Sequence, residues 1–313
     1  MILDPLVQRL VHASQVPPFL HELGPDDGRQ ALRESQIHVV DDFEVDAAFH
    51  VAPVGPSGLV GFWIFRPAGA TGPLPTVLYI HGGRWMLGDA HTHAWLISEL
   101  VRGAGVAAVV PEYSRTPEAR YPLAVEECYA LMDWTVRQSG ELGLDAGRLA
   151  VAGDCAGATM GTALTLMAKL RGGPSIRAQL LYYPLTDAHC DSPSQQEFAT
   201  GYLLTREALR SYWQQYAGRS GRQDEPTASP LRAGLAELAG LPPTMVITAE
   251  ADVARDEGER YADRLRRSGV AVTAARFLGT IHDFVSLTAL RDSPPTRAAV
   301  MLGSAFLGGH LNR

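Results

Sequence analysis

Leu149-Ala150-Val151-Ala152-Gly153-Asp154-Cys155-Ala156-Gly157 joins two different periodicities. Its first four residues form a short apolar run with polar residues upstream, which reads as a buried strand. From Ala158 to Leu170, the residues Met160, Leu164, Met167 and Leu170 recur at three- and four-residue spacing, which predicts a helix. Gly153 and Gly157 let the chain turn sharply between the two, where a larger Cβ would collide. The residue at the apex of such a strand–turn–helix elbow is held out of the sheet at a helix N-terminus, where backbone N–H groups favour negative charge. Here that residue is Cys155. A thiol in this seat is useful for nucleophilic chemistry only if the chain also supplies a base, an acid to orient the base, and donors for a developing oxyanion.

Outward from the elbow, strand and helix patterns alternate. Thr76–Ile80, Val106–Val110, Leu149–Ala152, Ala178–Tyr183, Thr244–Ala249 and Val270–Phe277 read as strands. His91–Gly103, Leu123–Gln138, Glu257–Ser268 and about Pro295–Leu307 read as helices. This rhythm predicts an α/β fold of βαβ units, a mostly parallel sheet flanked by helices on both faces. Two β-rich runs, Gln36–Val45 and Val60–Phe65, precede it, with a Pro- and Gly-containing loop between them. Residues 1 to about 35 read as short helices broken at Pro17-Pro18 and Gly24-Pro25. From about 188 to 241 the alternation is interrupted by a loop-rich stretch with one helix, Glu207–Tyr216, and the aromatic residues Phe198, Tyr202, Tyr212, Trp213 and Tyr216. These two segments are expected to cap the carboxyl edge of the sheet within a single domain spanning 1–313.

Composition narrows the function classes. The chain has 313 residues, 46% of them hydrophobic, enough for one sizeable core. Its net charge of −7, without any cluster of Lys and Arg, argues against nucleic acid or an anionic membrane as the main partner. No apolar run approaches the ~20 residues of a membrane span, and the first residues lack the pattern of a secretion signal. Cys128, Cys155 and Cys190 cannot all pair and show no metal-ligand spacing, so a reducing cytoplasm is the expected setting. Cys128 and Cys190 read as buried or surface residues without a chemical role. His91 and His93 have no third ligand at a matching spacing and read as a helix start, so no metal is expected.

Open α/β sheets bind ligands at the carboxyl ends of their strands. His81-Gly82-Gly83-Arg84-Trp85 follows the strand at 76–80, and adjacent glycines can turn main-chain N–H groups toward a ligand, as an oxyanion hole requires. Asp252 follows the strand at 244–249. His282, in Gly279-Thr280-Ile281-His282-Asp283-Phe284, follows the last strand. Taken singly, these read equally well as a glycine-rich turn, a helix-capping aspartate and a surface histidine. Their order, nucleophile then acid then histidine, is that of the α/β-hydrolase triad.

With these motifs in hand, nearly the whole chain resembles the hormone-sensitive-lipase-like α/β-hydrolases, bacterial carboxylesterases with an H-G-G-G motif upstream of G-D-S-A-G-G. His81 to Trp85 looks like the first motif and Gly153 to Ala158 like the second. Tyr113, Pro117-Glu118 and Tyr121-Pro122 look like the segment between them, Asp252 with Arg255-Asp256-Glu257-Gly258 like the acid motif, and Ile281 to Phe284 like the histidine motif. The resemblance implies an eight-stranded sheet with a helical cap, and hydrolysis of short to medium acyl esters without a cofactor. It places Cys155 as nucleophile, His282 as base and Asp252 as orienting acid, with the N–H groups of Gly82, Gly83 and Ala156 as the oxyanion hole. A homodimer through the last strand would also follow from it.

Three positions depart from the family pattern. Arg84 replaces the third glycine, and with Trp85 is a candidate for the substrate pocket, where it narrows the space or attracts an anionic group; the plain alternative is a side chain turned to solvent. Asp283 replaces the usual glycine after the histidine. Cys155 replaces the serine. A thiol at a helix N-terminus beside an imidazole is acidified from ~8.5 and nucleophilic as the thiolate, although an oxyanion hole set for oxygen is slightly misregistered for sulfur. The cysteine therefore admits a natural acyl-thioenzyme hydrolase, an acyltransferase, thioesterase or cyclase on a specialised-metabolism intermediate, a serine esterase with an engineered exchange, or a silent binding module.

Overall fold

A computed structural model of the protein describes residues 1–36, 44–218 and 221–312. The described residues include eight strands: β1 (Val45–Ala52), β2 (Val60–Pro67), β3 (Leu74–Ile80), β4 (Ala107–Pro111), β5 (Leu144–Asp154), β6 (Ala178–Tyr182), β7 (Thr244–Ala251) and β8 (Val272–Ile281). They form one sheet in the order β1-β2-β4-β3-β5-β6-β7-β8. The β1/β2 and β2/β4 pairs are antiparallel, and every later pair is parallel. The helices are α1 (Pro5–Ala13), α2 (Pro25–Ser35), α3 (Ala94–Ala104), α4 (Leu123–Arg137), α5 (Ala156–Arg171), α6 (Pro193–Glu197), α7 (Arg206–Tyr216), α8 (Leu235–Leu238), α9 (Arg255–Arg267) and α10 (Pro294–Leu311). The result is an α/β-hydrolase fold with helices flanking a mostly parallel sheet.

The first strand differs from the sequence expectation. Residues 37–43 of the Gln36–Val45 run lie outside the described residues, and β1 occupies Val45–Ala52, at and past the end of that run. Its burial alternates only weakly, because β1 is an edge strand with Phe49 and Val51 exposed, so the two-residue periodicity has little force there. The elbow helix α5 also departs from an amphipathic pattern. Every residue from Ala156 to Ala168 is buried, as expected of a helix covered all round. No helix among the described residues is long and apolar enough to cross a membrane.

The tight elbow depends on its two glycines. A Cβ at Gly153 would lie 2.6 Å from the Ile80 carbonyl oxygen and 2.6 Å from the Gly157 carbonyl carbon, and one at Gly157 would run into the carbonyl oxygen of Ile80. Backbone cannot rotate out of the way as a side-chain tip can. Gly157→Ala should therefore destabilise the fold by at least ~3 kcal/mol, the upper end of ordinary overpacking, read as a fall in the urea midpoint. An unchanged midpoint would mean that the end of β3 can yield to a Cβ at position 157.

Candidate active site

Cys155 sits between β5 and α5 with φ 51° and ψ −123°, a left-handed conformation that costs a non-glycine residue roughly 1–3 kcal/mol. The turn is held on both sides: the Cys155 N–H donates to the Tyr182 carbonyl at 2.9 Å, and its own carbonyl accepts from the Thr159 N–H at 3.1 Å. The side chain is fully buried.

The residues after β7 and β8 meet beside it. The Nδ1–H of His282 donates to Asp252 Oδ2 at 2.7 Å, with both side chains inaccessible to solvent. The other Asp252 oxygen accepts from the Ala254 N–H at 2.9 Å, so the carboxylate cannot swing away. Tyr183 packs against the imidazole with ring centroids 4.8 Å apart. Burial pulls the His282 pKa down, but the negative charges of Asp252, Cys155 and Asp283 outweigh it and hold the imidazole well above its ordinary value. With Nδ1 committed to Asp252, Nε2 is left with no hydrogen-bond partner among the described residues. A Cys155 Sγ, a His282 ring nitrogen and an Asp283 oxygen all lie within 4.8 Å of one another. The three residues chosen from strand exits are thus together.

The loop after β3 requires one change to the expected donors. The Gly82 N–H, expected in the oxyanion hole, already donates to Asp154 Oδ1 at 2.9 Å. That oxygen also accepts from the Tyr79 hydroxyl at 2.7 Å, and the other lies 3.5 Å from His93 Nε2. Burial lowers the His93 pKa but the Asp154 charge more than restores it, so the residue that reads as a helix start in the sequence is also a buried partner of the elbow aspartate. Gly82 anchors the loop, whereas the N–H groups of Gly83, Arg84 and Ala156 have no hydrogen-bond partner among the described residues. Tyr113 stabilises the same loop: its ring stacks on His81 with centroids 4.4 Å apart and its hydroxyl donates to the His81 carbonyl at 3.0 Å.

Arg84 and Asp283, two separate departures in the sequence, turn out to be one feature. Arg84 Nη2 and an Asp283 carboxylate oxygen form a direct ion pair, and both side chains are buried. Desolvation works against the Arg84 charge, but Asp283 and Cys155 hold the guanidinium firmly protonated. Both residues, and Cys155, have positive φ. The pair forms part of the wall of a cavity of about 550 Å³, lined largely by α1, α2 and α7 and the loops beside them, with Leu10, Phe19, Leu204 and Tyr212 among its apolar residues. Trp85, expected in that pocket, is not part of its lining. It is buried and stacks on Tyr216 at 4.3 Å and against Trp213 at 4.4 Å, fastening the glycine loop to α7. Asp283→Asn should cost ~3 kcal/mol or more, because it leaves a buried guanidinium without its counter-charge, whereas Arg84→Met combined with Asp283→Asn should recover most of that loss. Urea unfolding of the three proteins checks it; equal midpoints for the single and double variants would contradict a coupled pair.

Cys128 and Cys190 are buried, and burial raises both thiol pKa values, which leaves them unreactive. The sequence did not signal Gln36, which is buried and bridges the loop before α3 to that after β8: its Nε2 donates to the Thr92 and Ser286 carbonyls at 3.0 and 2.9 Å, and its Oε1 accepts from the Thr288 N–H at 3.0 Å. A glutamine at the head of a β-rich run has no pattern that could reveal contacts some 250 residues away.

Comparison with known proteins agrees with this geometry. The model of an α/β-hydrolase fold family matches residues 77–286. The chain is 33% identical to an ethyl acetate hydrolase of Pseudomonas putida over 292 residues, which cover 90% of this chain and 89% of that one. It is 32% identical to the carboxylesterase NlhH of Mycobacterium tuberculosis over 289 residues, covering 91% and 89%. The solved structure of a thermostable esterase from Pseudomonas putida superposes with a TM-score of 0.95 at 37% identity, covering 99% of this chain and 98% of that one. The chain therefore belongs to the hormone-sensitive-lipase-like α/β-hydrolase family and is an α/β-hydrolase of the carboxylesterase type.

Proposed function

We propose that this protein hydrolyses short- to medium-chain carboxylic esters through an acyl-thioenzyme on Cys155, under a cap made of residues 1 to about 35 and about 188–241. The observation that carries this reading is the fully buried 2.7 Å Asp252–His282 hydrogen bond, which turns Nε2 away from Asp252 and leaves it unpartnered beside Cys155. Asp252 favours the imidazolium, and a thiolate paired with an imidazolium attacks without prior proton removal. Sγ attacks the ester carbonyl carbon, and the oxygen that becomes negative is received by the N–H groups of Gly83, Arg84 and Ala156. The C–O bond to the alcohol then breaks, and His282 Nε2–H protonates the departing oxygen. A water molecule next gives its proton to Nε2 and attacks the thioester, the C–S bond breaks, and the acid leaves with the thiolate restored. The cavity of about 550 Å³ with largely apolar walls suits an acyl or alcohol group of modest size.

The test is turnover of p-nitrophenyl esters of increasing acyl length, with intact-mass measurement of protein quenched during turnover. Hydrolysis with an added acyl mass that maps to Cys155 is the expected result. Turnover with the acyl group elsewhere would overturn the nucleophile, and no turnover or adduct with any acyl donor would overturn the enzyme reading of this site.

A further inference from the structure

Beside Cys155 and His282 stands a second carboxylate, that of Asp283, which ester chemistry does not require. Asp283 Oδ1 lies 3.6 Å from His282 Nε2. Cys155 Sγ completes a set of three ligand atoms within 4.8 Å of one another, one sulfur, one nitrogen and one oxygen, all on buried residues. Nε2 has no hydrogen-bond partner among the described residues although the ring is inaccessible to solvent. We propose that Cys155 Sγ, His282 Nε2 and Asp283 Oδ1 form a three-ligand site for a divalent transition-metal ion of the zinc type, whose binding switches the thiol chemistry off reversibly.

The ligand types and spacing fit such an ion. Zinc takes thiolate at ~2.3 Å and imidazole or carboxylate at ~2.0–2.2 Å in tetrahedral geometry, which sets neighbouring ligand atoms about 3.3–3.6 Å apart. The nitrogen–oxygen separation of 3.6 Å already has that value, and the sulfur lies within 4.8 Å of both atoms.

The groups behind the ligands are those that metal sites use to hold them. Asp252 accepts from His282 Nδ1–H, which fixes the tautomer and presents the Nε2 lone pair. Arg84 pairs with the other oxygen of Asp283, leaving Oδ1 available and the carboxylate fixed in direction. Charge is consistent too. Asp252, Asp283 and a Cys155 thiolate carry three negative charges, Arg84 one positive, and a divalent cation balances them. The fourth position of the tetrahedron is left to water.

Binding consumes what the proposed hydrolysis requires. The sulfur lone pair that would attack a carbonyl is donated to the metal, as is the Nε2 lone pair, and the proton shared by the Cys155–His282 pair is released to solvent. No redox change is involved, and a chelator reverses the step. This inference uses the Cys155–His282 pair of the proposed function, but metal binding can be measured whether or not an ester substrate is found.

Chelator-treated protein is titrated with Co²⁺, which takes zinc's place and reports a sulfur ligand as a near-ultraviolet thiolate-to-cobalt absorption band. Expected are one equivalent of Co²⁺ with that band, its loss on adding Zn²⁺, and the same spectrum after stripping and reloading. Cys155→Ser should still fold and lose the band. Asp283→Asn should weaken Co²⁺ at least ~10-fold, and Arg84→Met combined with Asp283→Asn should do the same if the single variant proves too unstable to measure. Where wild type turns over p-nitrophenyl acetate, Zn²⁺ should suppress turnover and chelator restore it. No thiolate band, a band that persists in Cys155→Ser, or Co²⁺ affinity unchanged without the Asp283 carboxylate would each overturn the site.

Discussion

Cys155→Ala abolishes ester turnover, with an expected loss of about 10⁶-fold in kcat, the scale seen when a triad nucleophile is removed. Alanine fits the elbow's volume, so the protein should stay folded and its thermal midpoint near that of wild type. The more informative replacement is Cys155→Ser, and its effect depends on the leaving group. A tetrahedral intermediate on sulfur collapses by expelling its better leaving group. A thiolate, with a conjugate acid near ~8.5, leaves far more readily than an alkoxide, whose conjugate acid lies near water's ~15.7. Attack by Cys155 on an ordinary alkyl ester therefore mostly reverts, unless His282 protonates the alcohol as the C–O bond breaks. Against a p-nitrophenyl ester or a thioester the competition nearly vanishes. The ratio of kcat/KM for an aryl ester or thioester to that for the matching ethyl ester should thus be high in wild type and fall at least ~10-fold in Cys155→Ser. Retained turnover in Cys155→Ala would show that another group attacks. An unchanged ratio in Cys155→Ser would remove the argument that sulfur selects activated acyl donors.

The elbow, the parallel sheet and the places of Cys155, Asp252 and His282 at strand exits could be read from the sequence because each has a local signature: an apolar run, a three-to-four residue periodicity, a polar residue just past a strand. What could not be read lies in contacts with no local signature. Arg84 and Asp283 look like two unrelated replacements of glycine, and only the meeting of the β3 and β8 exits makes them one ion pair. Gly82 looks as able to serve an oxyanion as Gly83 until Asp154, two strands of chain away, is seen to occupy its N–H. Trp85 sits in sequence beside the glycines, yet its ring is held against α7 by Trp213 and Tyr216. The edge strand β1 was hidden for a different reason. With exposed residues on both faces, Asp46 and Ala48 on one and Phe49 and Val51 on the other, it carries too few buried residues to impose a period on the sequence.

The role of Asp252 separates a thiolate pair from a serine-type triad. In a serine enzyme the neutral imidazole must accept the nucleophile's proton in the transition state, so replacing the acid with asparagine leaves the wrong tautomer and lowers kcat ~10⁴-fold. A thiolate–imidazolium pair has already moved that proton before substrate arrives, and both ring nitrogens carry hydrogen. An asparagine side-chain oxygen can then accept from Nδ1–H without forcing a tautomer change, as in cysteine enzymes that use a Cys-His-Asn set. Here a second carboxylate, Asp283, also faces Nε2 at 3.6 Å and favours the imidazolium when Asp252 is gone. Asp252→Asn should therefore cost wild type well under 10⁴-fold, about 10²-fold, while the same change in the Cys155→Ser background costs the full ~10⁴. The four proteins form a double-mutant cycle in kcat on a p-nitrophenyl ester, and its two arms should differ by about 10², a coupling of roughly 2.7 kcal/mol between the two positions. Equal losses in both backgrounds would mean that Cys155 waits as a neutral thiol for general-base help, and that its sulfur behaves as a serine oxygen would.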